Sequence, residues 1–408
     1  MKDKLLKKKQ KLMKKLLLLL LALLPALAWG AVGDEFAADG LKYKVTSESP
    51  KTVELTRFDG QPPTGDLSIP AMTNGYSVTS LGTYAFKGCR GITSVVIPNG
   101  VTSIGAYAFN YCDGLTSIKI SNGVTSIGDY AFFGCRALKS VTIPASVRTI
   151  GVAAFVACYD LKSVTFADGV TTIGEQAFAK CNSLVSVNLP KSVTSLHPMA
   201  FNECPNLESV TVAAGSGLYK SVDGVLFSND MTVLILYPVA KKQTDYAIPA
   251  GVTRLDSLAF HGCTGLKAVS IPASVTTIPR YAFSVCTGME SFTVDAGNKN
   301  YKSVDGVLFD KGMTTLLLYP ENRKAATYTI PSGVTTIQEA FVRCPGLTTV
   351  NIPASVTSIA GMAFMSCADL TTVSIAKGSK LKSVGRNPFF RCEKLAPVTF
   401  PPGVEAEH

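Results

Sequence analysis

The chain has 408 residues, 47% of them hydrophobic and 17% charged, with a formal net charge of +10. Residues 1–30 hold eight lysines and one aspartate, so the remaining body keeps 31 basic against 28 acidic residues and is close to neutral. A body so weakly charged carries no electrostatic footprint for nucleic acid, and only three histidines, His197, His261 and His408, supply neutral-pH bases.

In chain order, the lysine-rich start gives way to an apolar stretch from Leu16 to Ala28, broken by Pro25. This is the pattern of a secretory signal peptide over residues 1–30. The stretch falls short of the roughly 20 apolar residues that span a bilayer, so no integral membrane segment is expected in the mature chain. Export to the cell surface, the extracellular space or the periplasm follows. Residues 31–75 alternate like strands, as in Leu41-Lys-Tyr-Lys-Val45 and Thr52-Val-Glu-Leu-Thr56, without the repeat that comes after them. They are expected to form an N-terminal β cap, because the end of a stacked fold exposes strand edge and apolar core.

From residue 76 to residue 408 one unit recurs. Every cysteine closes the signature Phe-x-x-Cys, and ten of the eleven signature phenylalanines follow alanine. Cys89, Cys112, Cys135, Cys158, Cys181 and Cys204 recur at a constant spacing of 23; the later gaps, to Cys263, Cys286, Cys344, Cys367 and Cys392, are 59, 23, 58, 23 and 25. A fixed period of this length marks a solenoid. In the clearest copy, Leu138 to Cys158, Val141 and Ile143 alternate with polar residues as in a strand, and Pro144 ends it. A second short extended run follows from Val147 to Ile150, with Gly151 read as a permissive turn backbone. The Ala-Ala-Phe-Val-Ala-Cys stretch is expected to be one tight helical turn. The strands are expected to be mostly parallel.

The two long gaps hold a second motif. Tyr219-Lys-Ser-Val-Asp-Gly-Val-Leu-Phe227 recurs unchanged as Tyr301 to Phe309, and each copy runs on to Leu-Tyr-Pro. Asp-Gly between apolar residues predicts hairpins, placing inserts at about 215–240 and 297–322. The copies stay in register to Val252 and Val334 and then differ by one residue, which accounts for 58 against 59.

Eleven cysteines in an exported chain invite disulfides. Equivalent side chains of stacked coils point the same way, about 4.8 Å apart, which is poor geometry for a bridge; free, buried thiols are expected. With no Cys-x-x-Cys pair or adjacent histidine there is no metal site to propose. No nucleophile elbow, zinc-protease motif, phosphate loop or dinucleotide fingerprint is present. Neither catalysis nor a cofactor is expected.

Binding is the remaining reading, and two surfaces are candidates. The outward strand positions form hydroxyl-rich columns carrying Lys119, Lys139, Lys162, Asn188 and Glu208. The hairpin units place Lys241-Lys242 and Arg323-Lys324 at matching positions, suited to acidic glycans if they protrude together. Tyr84, Tyr107, Tyr130 and Tyr281 share the slot before Ala-Phe and are read as partly packed on the outer surface.

The unit L-x-S-V-x-I-P-x-x-V-T-x-I-G-x-x-A-F-x-x-C resembles the BspA-like, or Treponema pallidum-type, leucine-rich repeat family from about Leu41 to Val404. That resemblance implies a leucine-rich repeat solenoid and non-catalytic adhesion to host matrix proteins, host cells, other bacteria or their glycans. The alternative is a structural or scaffold component of a bacterial envelope or polysaccharide-handling assembly.

Overall fold

A computed structural model gives the fold of residues 30–406. The expected signal peptide, apart from Gly30, lies outside the described residues. In the copy Leu138 to Cys158, Ser140–Ile143 is a strand with Val141 and Ile143 buried and Ser140 and Thr142 exposed. It pairs in parallel with Ser163–Phe166, in register from Ser140↔Ser163 to Ile143↔Phe166. Thr149–Ile150 forms a second, shorter strand, flanked in parallel by Ser126–Ile127 and Thr172–Ile173. Each coil therefore adds one rung to each of two parallel sheets, and the apolar side chains of both point into the coil.

The coils fall into two compact units, one ending at Ala179 and one beginning at Lys180. The first starts with an antiparallel meander, Glu35–Ala38, Leu41–Glu48 and Lys51–Phe58. Lys51–Phe58 pairs in parallel with Tyr76–Leu81, which leads into the short-strand ladder. The second unit contains both hairpins. Tyr219–Val222 and Val225–Ser228 meet at Val222↔Val225, so Asp223 and Gly224 make a two-residue turn, both with positive φ, as a primed hairpin turn requires. Val233–Leu236 continues antiparallel and then pairs in parallel with Arg254–Leu255. Tyr301–Val304, Val307–Asp310 and Thr315–Leu318 repeat this arrangement.

The third side of the coil corrects the sequence reading. Among the described residues there is no helix, and the Ala-Phe-x-x-Cys segment is a chain of turns. Its backbone donors explain why. Ala85, Lys87 and Cys89 donate three residues back, to Gly82, Tyr84 and Phe86, whereas Tyr84, Phe86 and Gly88 donate outward to Ala106, Ala108 and Asn110 of the next coil at 3.1, 2.7 and 2.7 Å. A helix keeps its donors within its own segment; here every second donor holds the neighbouring coil. The alternation forces positive φ at recurring positions, including Tyr84 (64°), Tyr107 (57°), Tyr111 (57°) and Tyr130 (56°). Such a backbone costs a non-glycine residue roughly 1–2 kcal/mol, offset by the inter-coil bonds. Gly151, by contrast, needs no unusual φ. A Cβ there would lie 2.7 Å from the Asp129 nitrogen and 2.8 Å from the Gly128 carbonyl carbon, so the glycine allows close approach of coils rather than a special turn.

The core is built from columns. Phe86, Phe109, Phe132, Phe155 and Phe178 are fully buried and stack ring on ring at centroid distances of 5.2, 5.2, 5.0 and 5.1 Å. In the second unit Tyr237 and Tyr319, from the two Leu-Tyr-Pro segments, occupy this column against Phe260 and Phe341. The cysteines have a specific role beside it. Phe86 O accepts the N–H of Cys89 at 3.1 Å and the thiol of Cys112, one coil on, at 3.2 Å. Cys135 and Cys158 repeat the bond on Phe109 and Phe132, as do Cys286, Cys367 and Cys392 on Phe260, Phe341 and Phe364. A thiol is small enough for the column and can still donate to a buried carbonyl. All eleven cysteines are free, and only Cys392 is not fully buried. Burial pushes the Cys89 thiol up to about 11 and holds the deeper thiols higher still.

Phe132→Ala is expected to destabilise the first unit by about 3–5 kcal/mol, read as a lower urea midpoint, whereas Phe390→Ala, at a 43% exposed position, should change stability by no more than about 0.5 kcal/mol. A thiol reagent such as Ellman's should leave the native thiols almost untouched and titrate all eleven in guanidinium. Prompt reaction of several native thiols would contradict this packing.

Candidate binding surfaces

On the outer face of the longer-strand sheet, the first column of threonines is engaged within the stack. Thr116 sends both its N–H and its hydroxyl to Thr93 O at 2.9 Å, and Thr371 does the same to Thr348 O, at 2.9 and 3.1 Å. These hydroxyls tie coil to coil and offer a ligand only acceptor lone pairs. In the first unit Lys119 ends the strand Ser117–Lys119, while Lys139 and Lys162 lie one position before their strands. All three are exposed and come from successive coils, with the Lys162 N–H donating to Lys139 O at 2.9 Å. Among the described residues none of the three is in an ion pair. In the second unit Asn188 accepts a hydrogen bond from the Thr211 hydroxyl at 3.0 Å, and Glu208 pairs with Lys242 at 3.5 Å.

The four hairpin-unit cations each have a local contact. Lys241 donates to the carbonyl of Asp223 in its own hairpin turn, and Lys242 meets Glu208. Arg323 lies over the rings of Tyr319 and Tyr328, 5.8 Å from each centroid. Lys324 donates to Asn322 at 2.8 Å. The sheet-face candidate Glu208 and the loop candidate Lys242 are thus brought together.

The turn face of the first unit carries a further feature. Tyr84, Tyr107 and Tyr130 form a ladder with centroids 5.0 and 4.7 Å apart, and Phe133 joins it edge-on to Tyr111 at 5.3 Å. Tyr84 is 49% exposed and Tyr111 38%, with the Lys87 ammonium over the Tyr84 ring. Exposed aromatic groups of this kind are the anchors that the hydroxyl face lacks.

The sequence profile of the BspA type leucine rich repeat region, in six copies, matches residues 68–222, 239–314 and 319–406. The chain belongs to the BspA-type leucine-rich repeat family. Among crystal structures, a leucine rich cell surface protein from Faecalibacterium prausnitzii A2-165 is 26% identical with a TM-score of 0.62, over 92% of this chain and 95% of that one. Pneumococcal vaccine antigen PcpA shares the fold with a TM-score of 0.62 at 23% identity, over 92% and 93% of the two chains. A leucine-rich repeat protein from Bacteroides ovatus ATCC 8483 is 25% identical with a TM-score of 0.50, over 91% and 99%. No curated protein matches the sequence. Among the described residues no helix is long and apolar enough to cross a membrane.

One acidic residue departs from the BspA-type coil. Glu321, just after Leu-Tyr-Pro of the second hairpin unit, is only 7% exposed. Its Oε1 accepts the Val285 N–H at 3.1 Å, and its Oε2 is buried without a partner. Burial raises its pKa to about 7, opposed by the nearby Arg343 guanidinium and the N–H groups of Val285 and Cys286. Sequence reasoning passed over it. Its signal was the register itself, since Val239 stands at this position in the first copy.

Because the folded pKa lies above the unfolded one, the fold favours the protonated carboxyl, and stability is lost as pH rises from about 4.5 through about 7. This one group should cost the wild type about 3 kcal/mol between pH 4.5 and pH 8. Glu321→Gln keeps the acceptor and does not ionise, so its thermal stability should match wild type at pH 4.5 and exceed it at pH 8. A wild type more stable than the variant at pH 8 would show that Arg343 holds the carboxylate ionised.

Proposed function

We propose that the protein is an exported, surface-exposed binding protein without catalytic activity, an adhesin that engages a host or bacterial surface protein or glycan. The observation that carries this reading is the division of labour within each coil. Inward positions are fixed by packing and inter-coil bonds, whereas outward rungs change from Thr to Lys to Glu while the backbone N–H of each still donates to the preceding coil. A long face of independently variable side chains suits recognition of a large partner. The cell-surface description of the Faecalibacterium relative, similar over nearly its full length, supports the same assignment.

Of the two proposed contact sets, the sheet face is favoured for the first unit. Lys119, Lys139 and Lys162 are exposed cations without ion pairs, whereas Lys241, Lys242, Arg323 and Lys324 each have a partner close by, Glu208 of the sheet face in the case of Lys242. The partner face opposite these lysines is acidic. The tyrosine ladder provides apolar anchors on the adjoining turn face.

The test is saturable binding of the purified protein to immobilised matrix proteins, glycans and envelope fractions. A K119E/K139E/K162E variant should lose at least about tenfold in affinity, and salt should weaken the wild type, as surface electrostatics dictate. A K241E/K242E/R323E/K324E variant with unchanged Tm should bind nearly as well. Loss in the second variant alone would move the site to the hairpin units. Retention only on envelope fractions, with silence toward host ligands, would favour a scaffold role instead.

A further inference from the structure

The two hairpin units are copies of one sequence whose surroundings have diverged. In the first copy, the space beside the Leu-Tyr-Pro tyrosine is a void of about 20 Å³, walled by Phe201, Tyr237, Val239 and Leu258 among others. At the corresponding place in the second copy, Phe283, Tyr319 and Glu321 line a cavity of about 200 Å³. The copies differ here in a deletion, which removes bulk, and in a glutamate no smaller than the valine it replaces, which makes the wall polar. Glu321 stands where the first copy has Val239, and Asp256-Ser-Leu-Ala-Phe260 is shortened to Gln338-Glu-Ala-Phe341, which removes the equivalent of Leu258.

The enlarged cavity has an apolar body and unpartnered polar groups in its wall. Phe283, Met289, Phe292 and Leu318 supply the apolar part. Glu321 Oε2, Arg343 Nη1 and His261 Nδ1 are buried with no hydrogen-bond partner in the chain, and the Tyr319 hydroxyl has only the Arg323 guanidinium near it. Buried polar groups normally have partners, and a buried charge without one is expensive. At the mouth, Arg280 and Glu339 pair with each other and cancel, and Tyr281 is 52% exposed. What remains is one carboxyl and one guanidinium, each with a free position, on the wall of a greasy hole.

We propose that this cavity binds a free α-amino acid with an aliphatic side chain. The ligand's ammonium group meets Glu321, its carboxylate meets Arg343, and its side chain lies among Phe283, Met289 and Phe292. Tyr319 OH and His261 Nδ1 are available to the second carboxylate oxygen. A zwitterion satisfies both orphaned charges at once, which neither an amine nor an acid alone does. The size agrees: an apolar cavity of about 150 Å³ holds benzene, so this one accommodates about six to ten heavy atoms. The Oε1 bond to Val285 already fixes the carboxyl.

Isothermal titration and thermal shift of the whole purified protein at pH 8 test the assignment, with leucine, isoleucine, methionine, lysine, N-acetyl-leucine and leucinamide as probes. The three apolar amino acids should bind and raise Tm. Blocking either charged end should weaken binding by about tenfold or more. Glu321→Val, which installs the residue of the first copy, should abolish binding while the protein remains folded, and Glu321→Gln should weaken it by about tenfold. No heat and no Tm shift with any amino acid would overturn the proposal. So would equal binding of leucine, N-acetyl-leucine and leucinamide, or leucine binding unaffected in Glu321→Gln. Surface recognition is scored separately, because neither substitution touches Lys119, Lys139 or Lys162.

Discussion

In the turn segments of the repeat, alternate backbone N–H groups leave their own coil and donate to the next, while the others close tight turns at home. Tyr84, Phe86 and Gly88 do this toward Ala106, Ala108 and Asn110, and the same offset recurs where Tyr107 and Phe109 reach Asp129 and Ala131. This shared use of donors rules out a helix, forces left-handed backbone at tyrosines and alanines, and sets the spacing at which the phenylalanine rings stack. It also fixes what the signature cysteine does, because the phenylalanine carbonyl that closes a turn has a second lone pair facing the thiol of the following coil. The Phe-x-x-Cys motif is therefore a statement about two coils rather than one.

The same in-register repetition governs the outer surface. A threonine directly above another residue's carbonyl can donate to it through both N–H and hydroxyl, as Thr116 does to Thr93, so much of the hydroxyl-rich face belongs to the scaffold. The recognition surface we propose lies where the column breaks its own pattern: the lysines at 119, 139 and 162, and the tyrosines whose rings project from strained turns. A solenoid built this way can change such a rung and keep the backbone ladder behind it, as where the Lys162 N–H still donates to Lys139 O.

The hairpin units show how the repeat absorbs an interruption. Each resumes the aromatic column by setting Tyr237 or Tyr319 against Phe260 or Phe341, yet neither carries the Ala-Phe-x-x-Cys turn. Space opens on the turn side of the coil as a result. In the first copy Val239 and Leu258 fill it; in the second, a one-residue deletion leaves it open and a glutamate lines it. In the second copy Glu321 stands for Val239 and Arg343 for Gly262, and both bring polar atoms that the chain itself does not satisfy.

Much of this was legible in the sequence. The constant spacing of the Phe-x-x-Cys signature determined the solenoid, the alternation in Leu138 to Ile143 determined which strand residues face inward, and Asp-Gly at 223–224 and 305–306 determined the hairpins, because each depends on local backbone preference and burial pattern alone. The conformation of the Ala-Phe turn was not legible, since a run rich in alanine suits a helix until a neighbouring coil competes for its donors. The reason for Gly151 was equally hidden, because the atoms a Cβ would strike, those of Gly128 and Asp129, belong to the preceding coil. The engagement of Lys241 and Arg323 by their own units, the tyrosine ladder and the buried, half-satisfied Glu321 all depend on which side chains meet across coils. Sequence determined the repeating frame; tertiary structure alone decided which polar groups that frame satisfies and which it leaves for a partner.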